Sequence, residues 1–288
     1  MRTKRNITAA MTLGLILIIP GLANAAFTFT PIDAPGSVAT FANANSTDAI
    51  AGEYDDENGN THGFILKNGA YTVIDVLGAA GYSSVNGINA NGHITGTYLD
   101  GSPSHTFHAY FYNNSVLTTL DPPGSNRSEG GFLNEQDQTV GTYRDSSDKR
   151  HGFFWDKGVY ATGNVPPAFD TIAFGINDRG QIVGDYVDTE GKRHGFLLSN
   201  GTYTTLDVPG ATLTVAEGIN NAGQIVGLYI DADKHQHGFM LENGVYTTVD
   251  VPDSSASAIY SINAQGEIVG FYEDANGVAH GYIGTPGR

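Results

Sequence analysis

The stretch Gly175–Ala211, GINDRGQIVGDYVDTEGKRHGFLLSNGTYTTLDVPGA, decides the fold of this chain. It reads as four short strands. The first ends near Ile176-Asn177, and the turn Asn177-Asp178-Arg179-Gly180 follows, with glycine where such a turn needs a left-handed residue. The second strand is Gln181 to Val187 and the third is Arg193 to Ser199, separated by the polar turn Asp188-Thr189-Glu190-Gly191. Asn200-Gly201 is a strong two-residue hairpin signal. The fourth strand is Thr202 to Val208, ended by Pro209-Gly210. With Asn200 and Gly201 as the turn, His194 faces Asp207, Phe196 faces Thr205 and Leu198 faces Tyr203. Cross-strand Cβ atoms lie about 4.5–5.5 Å apart, so His194 and Asp207 are within hydrogen-bonding reach.

The same phrase recurs along the chain. His62, His108, His151, His194, His237 and His280 are separated by 46, 43, 43, 43 and 43 residues, the mark of an array of small supersecondary units. The hairpin register pairs His62 with Asp75, His108 with Asp121 and His237 with Asp250, whereas His151 meets Asn164. His280 has no partner in its own repeat, because Arg288 comes before any fourth strand. Residues 27–36, FTFTPIDAPG, are a fourth strand without the other three. Asp33 stands there in the place of Asp207, and Phe29 in the place of Tyr203. Complementary fragments at the two ends suit a closed ring, not a linear solenoid with two caps. The expected fold is all-β: a six-bladed β-propeller of four-stranded antiparallel blades. Residues 26–288 would form one domain, with 26–36 closing the last blade. Ile182, Val183, Tyr186, Phe196, Leu198, Tyr203 and Leu206 are the expected apolar contacts, each contributing roughly 1.5–3 kcal/mol if fully buried. Counterparts of Tyr186 recur at Tyr54, Tyr98, Tyr143, Tyr229 and Tyr272, and this regularity points to packing, not to a sugar platform.

Residues 1–25 have the three-part pattern of a secretory signal peptide. Arg2, Lys4 and Arg5 precede an apolar stretch over Ala9–Ile19, and Ala23-Asn24-Ala25 is a small-x-small cleavage site. An uncleaved anchor is the alternative, but the apolar run falls short of the roughly 18 residues a spanning helix needs. No membrane insertion is expected after cleavage. The remaining chain carries 11 Lys and Arg against 30 Asp and Glu. That balance argues against nucleic acid or an anionic membrane surface as partner. There is no cysteine, so packing must hold the domain together, and thiolate chemistry is excluded.

The phrases GINxxGxIVGxY and H-[GA]-F resemble the HAF family of bacterial extracellular repeats, named for His-Ala-Phe. The resemblance covers about residues 40–284, and His108-Ala109-Tyr110 is nearest to the name. It implies export, to the periplasm or beyond the cell, and repetition. It implies no reaction and transfers no catalytic residue.

Several residue sets suggest chemistry. A His–Asp pair supplies two metal ligands, but zinc takes four, or three plus water, and no third ligand recurs beside the pair. The pairs read instead as buried hydrogen bonds fixing the outer hairpins. The acidic turns beginning at Asp55, Asp145, Asp188, Asp231 and Glu273 leave weak calcium binding open, although Asp, Asn and Gly are also ordinary turn residues. No other cofactor is implied, and no Gly-x-Ser-x-Gly elbow occurs.

The places where the repeat breaks say more about function. Repeat two has extra residues within Gly101–Phe107 and an exit carrying Arg127 and Glu129; repeat three holds Leu133-Asn134-Glu135-Gln136-Asp137 and the only tryptophan, Trp155. Irregular loops on one propeller face are where ligand sites are built. Arg127, Glu129, Arg144, Trp155 and Glu217 are therefore the candidate ligand-binding residues, on the face of the second- and fourth-strand exits. The first-strand segments Val215-Ala216-Glu217 and Ser257-Ala258-Ile259 suggest a channel that is mostly small and apolar. The chain reads as an exported, non-enzymatic, monomeric module binding a protein or a glycan. A polysaccharide-active hydrolase or lyase is the alternative, and a structural surface component is the third reading.

Overall fold

The computed structural model describes residues 27–287; residues 1–25, expected to be a signal peptide, lie outside the described residues. The chain enters as β1 (Phe27–Ile32). Blade one is β2 (Ala39–Asn45), β3 (Ala49–Asp55), β4 (Thr61–Lys67) and β5 (Ala70–Ile74). Blade two is β6 (Ala79–Ile88), β7 (Ile94–Asp100), β8 (Phe107–Tyr112) and β9 (Leu117–Thr119). Blade three is β10 (Arg127–Leu133), β11 (Thr139–Arg144), β12 (Arg150–Asp156) and β13 (Val159–Gly163). Blade four is β14 (Asp170–Ile176), β15 (Ile182–Val187), β16 (Arg193–Ser199) and β17 (Thr202–Leu206). Blade five is β18 (Leu213–Ile219), β19 (Ile225–Ile230), β20 (Gln236–Glu242) and β21 (Val245–Thr248). Blade six is β22 (Ala256–Ile262), β23 (Ile268–Glu273) and β24 (Ala279–Pro286), completed by β1. The fold is a six-bladed β-propeller of four-stranded antiparallel blades.

The hairpin register matches the sequence reading. Phe196 pairs with Thr205 and Leu198 with Tyr203. The fourth strand stops at Leu206, before the expected Val208, for a physical reason. The Asp207 side chain turns toward His194, and the Val208 N–H bonds Thr214 Oγ1 at the next blade's entrance instead of strand three. β1 pairs antiparallel with β24 from Phe27 opposite Pro286 to Ile32 opposite Gly281. Phe29 packs edge-on to Tyr282 at 5.4 Å, as Tyr203 does to Phe196 at 5.5 Å. A parallel contact of Thr61 with Tyr82 joins blades one and two, a link the repeat does not foretell.

The core runs between blades. The aromatic ring two residues after each repeat histidine is its anchor: Phe64, Tyr110, Phe153, Phe196, Phe239 and Tyr282 are all essentially inaccessible. Each of the first five rings lies beneath a second-strand glycine, and Gly184 is representative. A methyl group there would run into the Ile172 carbonyl and sit 2.8 Å from the Phe196 ring. A polar belt circles one end. Asn177 Oδ1 accepts the N–H groups of Arg179 and Gln181, while its Nδ2 donates to the Asn220 carbonyl of the next blade at 3.1 Å. Asn89, Asn134 and Asn220 repeat this step, and Asn263 passes it to the Ser46 carbonyl of blade one. The same bond thus links blades two to six in turn and joins blade six to blade one. The Asn45 amide of blade one donates back to the Glu267 carbonyl, and the Asn43 amide makes the step to blade two on the Val85 carbonyl.

Candidate functional site

The repeat histidines form one kind of site. His194 Nδ1 lies 2.9 Å from Asp207, as the register requires, and Nε2 lies 3.2 Å from Asp188 in the preceding turn. Tyr186 stacks on the ring at 5.2 Å. The pairings His62–Asp75, His108–Asp121, His237–Asp250 and His280–Asp33 are all present, as is His151–Asn164. Two corrections follow. The pairs are not buried: Asp207 is 40% exposed, because it lies at the open end of the hairpin. A second carboxylate also recurs, at Asp56, Asp100, Asp145, Asp188, Asp231 and Asp274. The acidic turns therefore hold the histidine from its other side. Asp188 accepts the N–H groups of Glu190 and Lys192 through Oδ1 and turns Oδ2 to His194. These backbone bonds and the histidine hold its carboxyl below the usual range. For His237, burial opposes the proton, but the hydrogen bonds and charges of Asp250 and Asp231 outweigh it and raise the pKa. Among the described residues, no three His, Asp or Glu side chains gather as a metal site.

The second site is the central channel, and it is built by bulges. The ladder between first and second strands slips near the axis in every blade, and in blade two it slips a second time between Ala79 and Ser83. The residues left over are Asn43, Asn86, Gly131 with Phe132, Phe174, Glu217 and Tyr260. A bulge re-aims the extra side chain. Here it does so toward the axis: Phe174, Glu217 and Tyr260 stay partly accessible between buried neighbours. The expected channel wall is corrected accordingly. Val215, Ala216, Ser257, Ala258 and Ile259 are buried between blades, and the bulge residues form the wall.

A cavity of about 490 Å³ occupies the channel and is lined from all six blades. Phe41, Tyr82, Phe107, Phe132, Phe174 and Tyr260 supply aromatic surface; Glu53, Glu129, Glu217 and Arg127 supply charge. First strands begin at the fourth-strand exits, so entry residues such as Phe41 and Glu129 put this cavity toward that face. A smaller cavity of about 120 Å³ lies at the opposite mouth among the Asn turns, with Phe132 bordering both.

The charges are unevenly neutralised. Arg127 pairs with Glu129 and lies over the Phe107 ring at 5.5 Å. Asp185 is inaccessible, and its neighbour Arg193 approaches at 2.9 Å without the geometry of a hydrogen bond. Burial pushes Asp185 up to about 6 despite the pull of Arg193 and Arg150. Burial, reinforced by Asp185, pushes Glu217 up to about 8. Burial likewise raises Glu53 to about 7, although the Tyr82 hydroxyl donates to it at 3.1 Å.

Arg127, Glu129 and Glu217 thus meet in one cavity. Arg144 does not join them: it bonds Asp148 within its own turn and borders a side crevice behind Arg127. Trp155 is a correction. It is 7% exposed and packs on Phe111 at 5.3 Å, because its position on β12 turns the side chain into the core between blades two and three and away from the cavity. Sequence reasoning missed Glu53, Tyr82, Phe174 and Tyr260. The signal for two of these, as for Glu217, is positional: the residue before the recurring G-I-N or S-I-N is Phe174, Glu217 and Tyr260 in successive repeats.

No protein-family model matches this sequence, and no curated protein matches it. Solved structures do. The chain is similar to Aleuria aurantia lectin, a fungal six-bladed propeller with a fucose recognition mode, at 13% identity and a TM-score of 0.53, covering 85% of this chain and 91% of that one. A mutant of AofleA from Arthrobotrys oligospora matches at 12% identity and a TM-score of 0.53, with 90% and 86% covered. TolB from Acinetobacter baumannii matches at 10% identity and a TM-score of 0.59, covering 83% of this chain and 64% of that one. Identities this low speak for the fold alone.

Proposed function

We propose that the protein is an exported binding module whose central cavity takes a saccharide. The carrying observation is the broken symmetry of the channel. Six repeats with matching cores present six bulge positions occupied by Asn, Asn, Gly, Phe, Glu and Tyr. A single site needs such asymmetry, and a scaffold does not. A concave cavity with aromatic walls and a few converging polar groups is the usual form of a small-ligand site. Aromatic faces suit the apolar faces of pyranose rings, and the Asn and Glu side chains suit their hydroxyls. The fucose-binding lectins among the structural neighbours lend the reading support.

The test is a glycan array followed by calorimetry on the purified protein. Glu129→Gln and Phe107→Ala should weaken binding of any hit at least tenfold. Asn221→Ala, at the opposite mouth, should leave it within twofold. The reverse pattern would move the site to the other face. One observation favours a second reading, a polysaccharide hydrolase: Glu53 and Glu217 are held near the pKa of a general acid. Glycan turnover that disappears in Glu217→Gln would replace the binding reading.

A further inference from the structure

We infer that the saccharide carries a free amine, and that its ammonium sits in the channel between Glu53, Tyr260 and Glu217. This rests on the saccharide reading above. The first argument is charge. Arg127, the cation lining the cavity among the described residues, is committed to Glu129, and Arg193, outside the lining, pairs with Asp185. Among the described residues, neither Glu53 nor Glu217 forms an ion pair of its own. Tyr260 belongs to blade six, between the blades of these two acids, and both carboxylates oppose ionisation of its phenol after burial has done so. The three side chains therefore form one continuous arc.

The second argument is shape. Tyr260 stacks on Phe271 at 5.6 Å, and Phe271 contacts Phe41 at 5.3 Å. The arc thus has an aromatic backing, and an ammonium is attracted to the face of such rings as well as to carboxylates. A neutral hydroxyl can hydrogen-bond to either acid, whereas an ammonium supplies the charge that ion-pairs both. Across the cavity the facing cation among the described residues is Arg127, held by its own glutamate.

The third argument is the proton. Around Glu217 stand Asp185, Arg193 and Tyr260; around Glu53 stand Asp55, Tyr82 and Tyr260. Burial is the largest influence on both acids and favours their neutral forms near neutral pH. An arriving ammonium reverses that preference and expels protons. Neutral sugars have no reason to do so.

The experiment titrates the full protein with the glucosamine tetramer, its fully N-acetylated form, the neutral glucose tetramer, and cyclohexylammonium. Calorimetry is run at pH 6.5 in two buffers of different ionisation enthalpy. The glucosamine tetramer should bind at least tenfold more tightly than the acetylated and neutral forms and release between one and two protons. Glu217→Gln and Glu53→Gln should each cut that preference about tenfold, whereas Asn221→Ala, at the opposite mouth, should leave it within twofold. Equal or tighter binding of the acetylated or neutral tetramer would overturn the ammonium and leave the saccharide channel standing. Binding of cyclohexylammonium with no saccharide would overturn the saccharide premise. Silence from all four probes would overturn both.

Discussion

Replacing Glu217 with glutamine should reshape the pH dependence of stability. In the folded protein burial lifts this carboxyl from 4.5 to about 8. Between those values the folded state holds a proton that the unfolded state has lost. Stability falls with pH wherever the folded state binds more protons. The loss begins near pH 4.5 and is complete above about pH 8. Each pKa unit is worth about 1.4 kcal/mol, so the full loss from this one group is about 5 kcal/mol. For a domain of this size 1 kcal/mol moves the melting temperature by roughly 2–4 °C, so the total is on the order of 10–20 °C. Asp185 and Glu53, raised to about 6 and about 7, act in the same direction. Glutamine keeps the shape and cannot ionise. Scanning calorimetry from pH 5 to 9 is the assay. At pH 5 the variant should melt within a few degrees of the parent; at pH 8.5 it should melt about 10 °C or more above it. Two parallel curves with a constant offset would show that Glu217 is solvated and ionised throughout, and the channel electrostatics would fail with it.

Three further outcomes test the scaffold. Gly184→Ala should cost about 3 kcal/mol or more in chemical denaturation, because its methyl meets a carbonyl and the Phe196 ring; Gly201→Ala, at φ +76° in open space, should cost only about 1 kcal/mol. Deleting residues 27–36 uncovers the outer edge of β24 and should shift the protein to larger species than the parent in size-exclusion chromatography, since open edges pair; a deletant that elutes with the parent and is as stable would contradict the clasp. His237 should titrate above the ordinary 6.5 by NMR, so its contribution to stability is complete below that value and lost as pH rises through the raised pKa. Asp231→Asn should bring the midpoint down, and an unmoved midpoint would remove the turn carboxylate from the clamp.

The fold was legible because its registers are pinned by turn chemistry. Asn68-Gly69, Asn200-Gly201 and Asn243-Gly244 set the outer hairpins, and a slip of one residue would point His194 away from Asp207. The second carboxylate on each histidine was harder to see. Asp188 lies six residues before His194, across a turn whose geometry depends on backbone bonds to that same Asp. The channel was legible only in part. Arg127, Glu129 and Glu217 attract notice because they are charged where most repeats are not. Phe174 and Tyr260 look like core residues, and only the slipped ladder turns them to the axis. Tyr82 reaches Glu53 because β6 begins at Ala79 and bends at Gly81, whose φ is +75°. Trp155 misled because rarity in composition carries no information about depth in a blade.

The division of labour between repeated and unrepeated positions has a physical basis. A histidine clamp stabilises the hairpin that contains it, so every blade gains from keeping its own copy. The bulge residue makes no contact that is repeated in every blade: Asn43 and Asn86 donate to the Val85 and Gly130 carbonyls of the next blade, whereas Phe174, Glu217 and Tyr260 present different side chains to the cavity. It is free to differ, provided the bulge itself is kept. Six such positions converge on one axis, where a single charge is felt by all of them: Glu217 of blade five, with Glu53 of blade one, perturbs Tyr260 of blade six. A change at one bulge therefore alters a shared cavity without touching the clamp histidines, which lie 20 residues further along the chain at His194, His237 and His280 from Phe174, Glu217 and Tyr260. Substitutions at Phe174 and Tyr260 are thus the ones to separate affinity from stability; those at Asn43 and Asn86 also remove a bond to the next blade, those at Glu217 also change stability with pH, and those at the histidines are expected to change affinity and stability together.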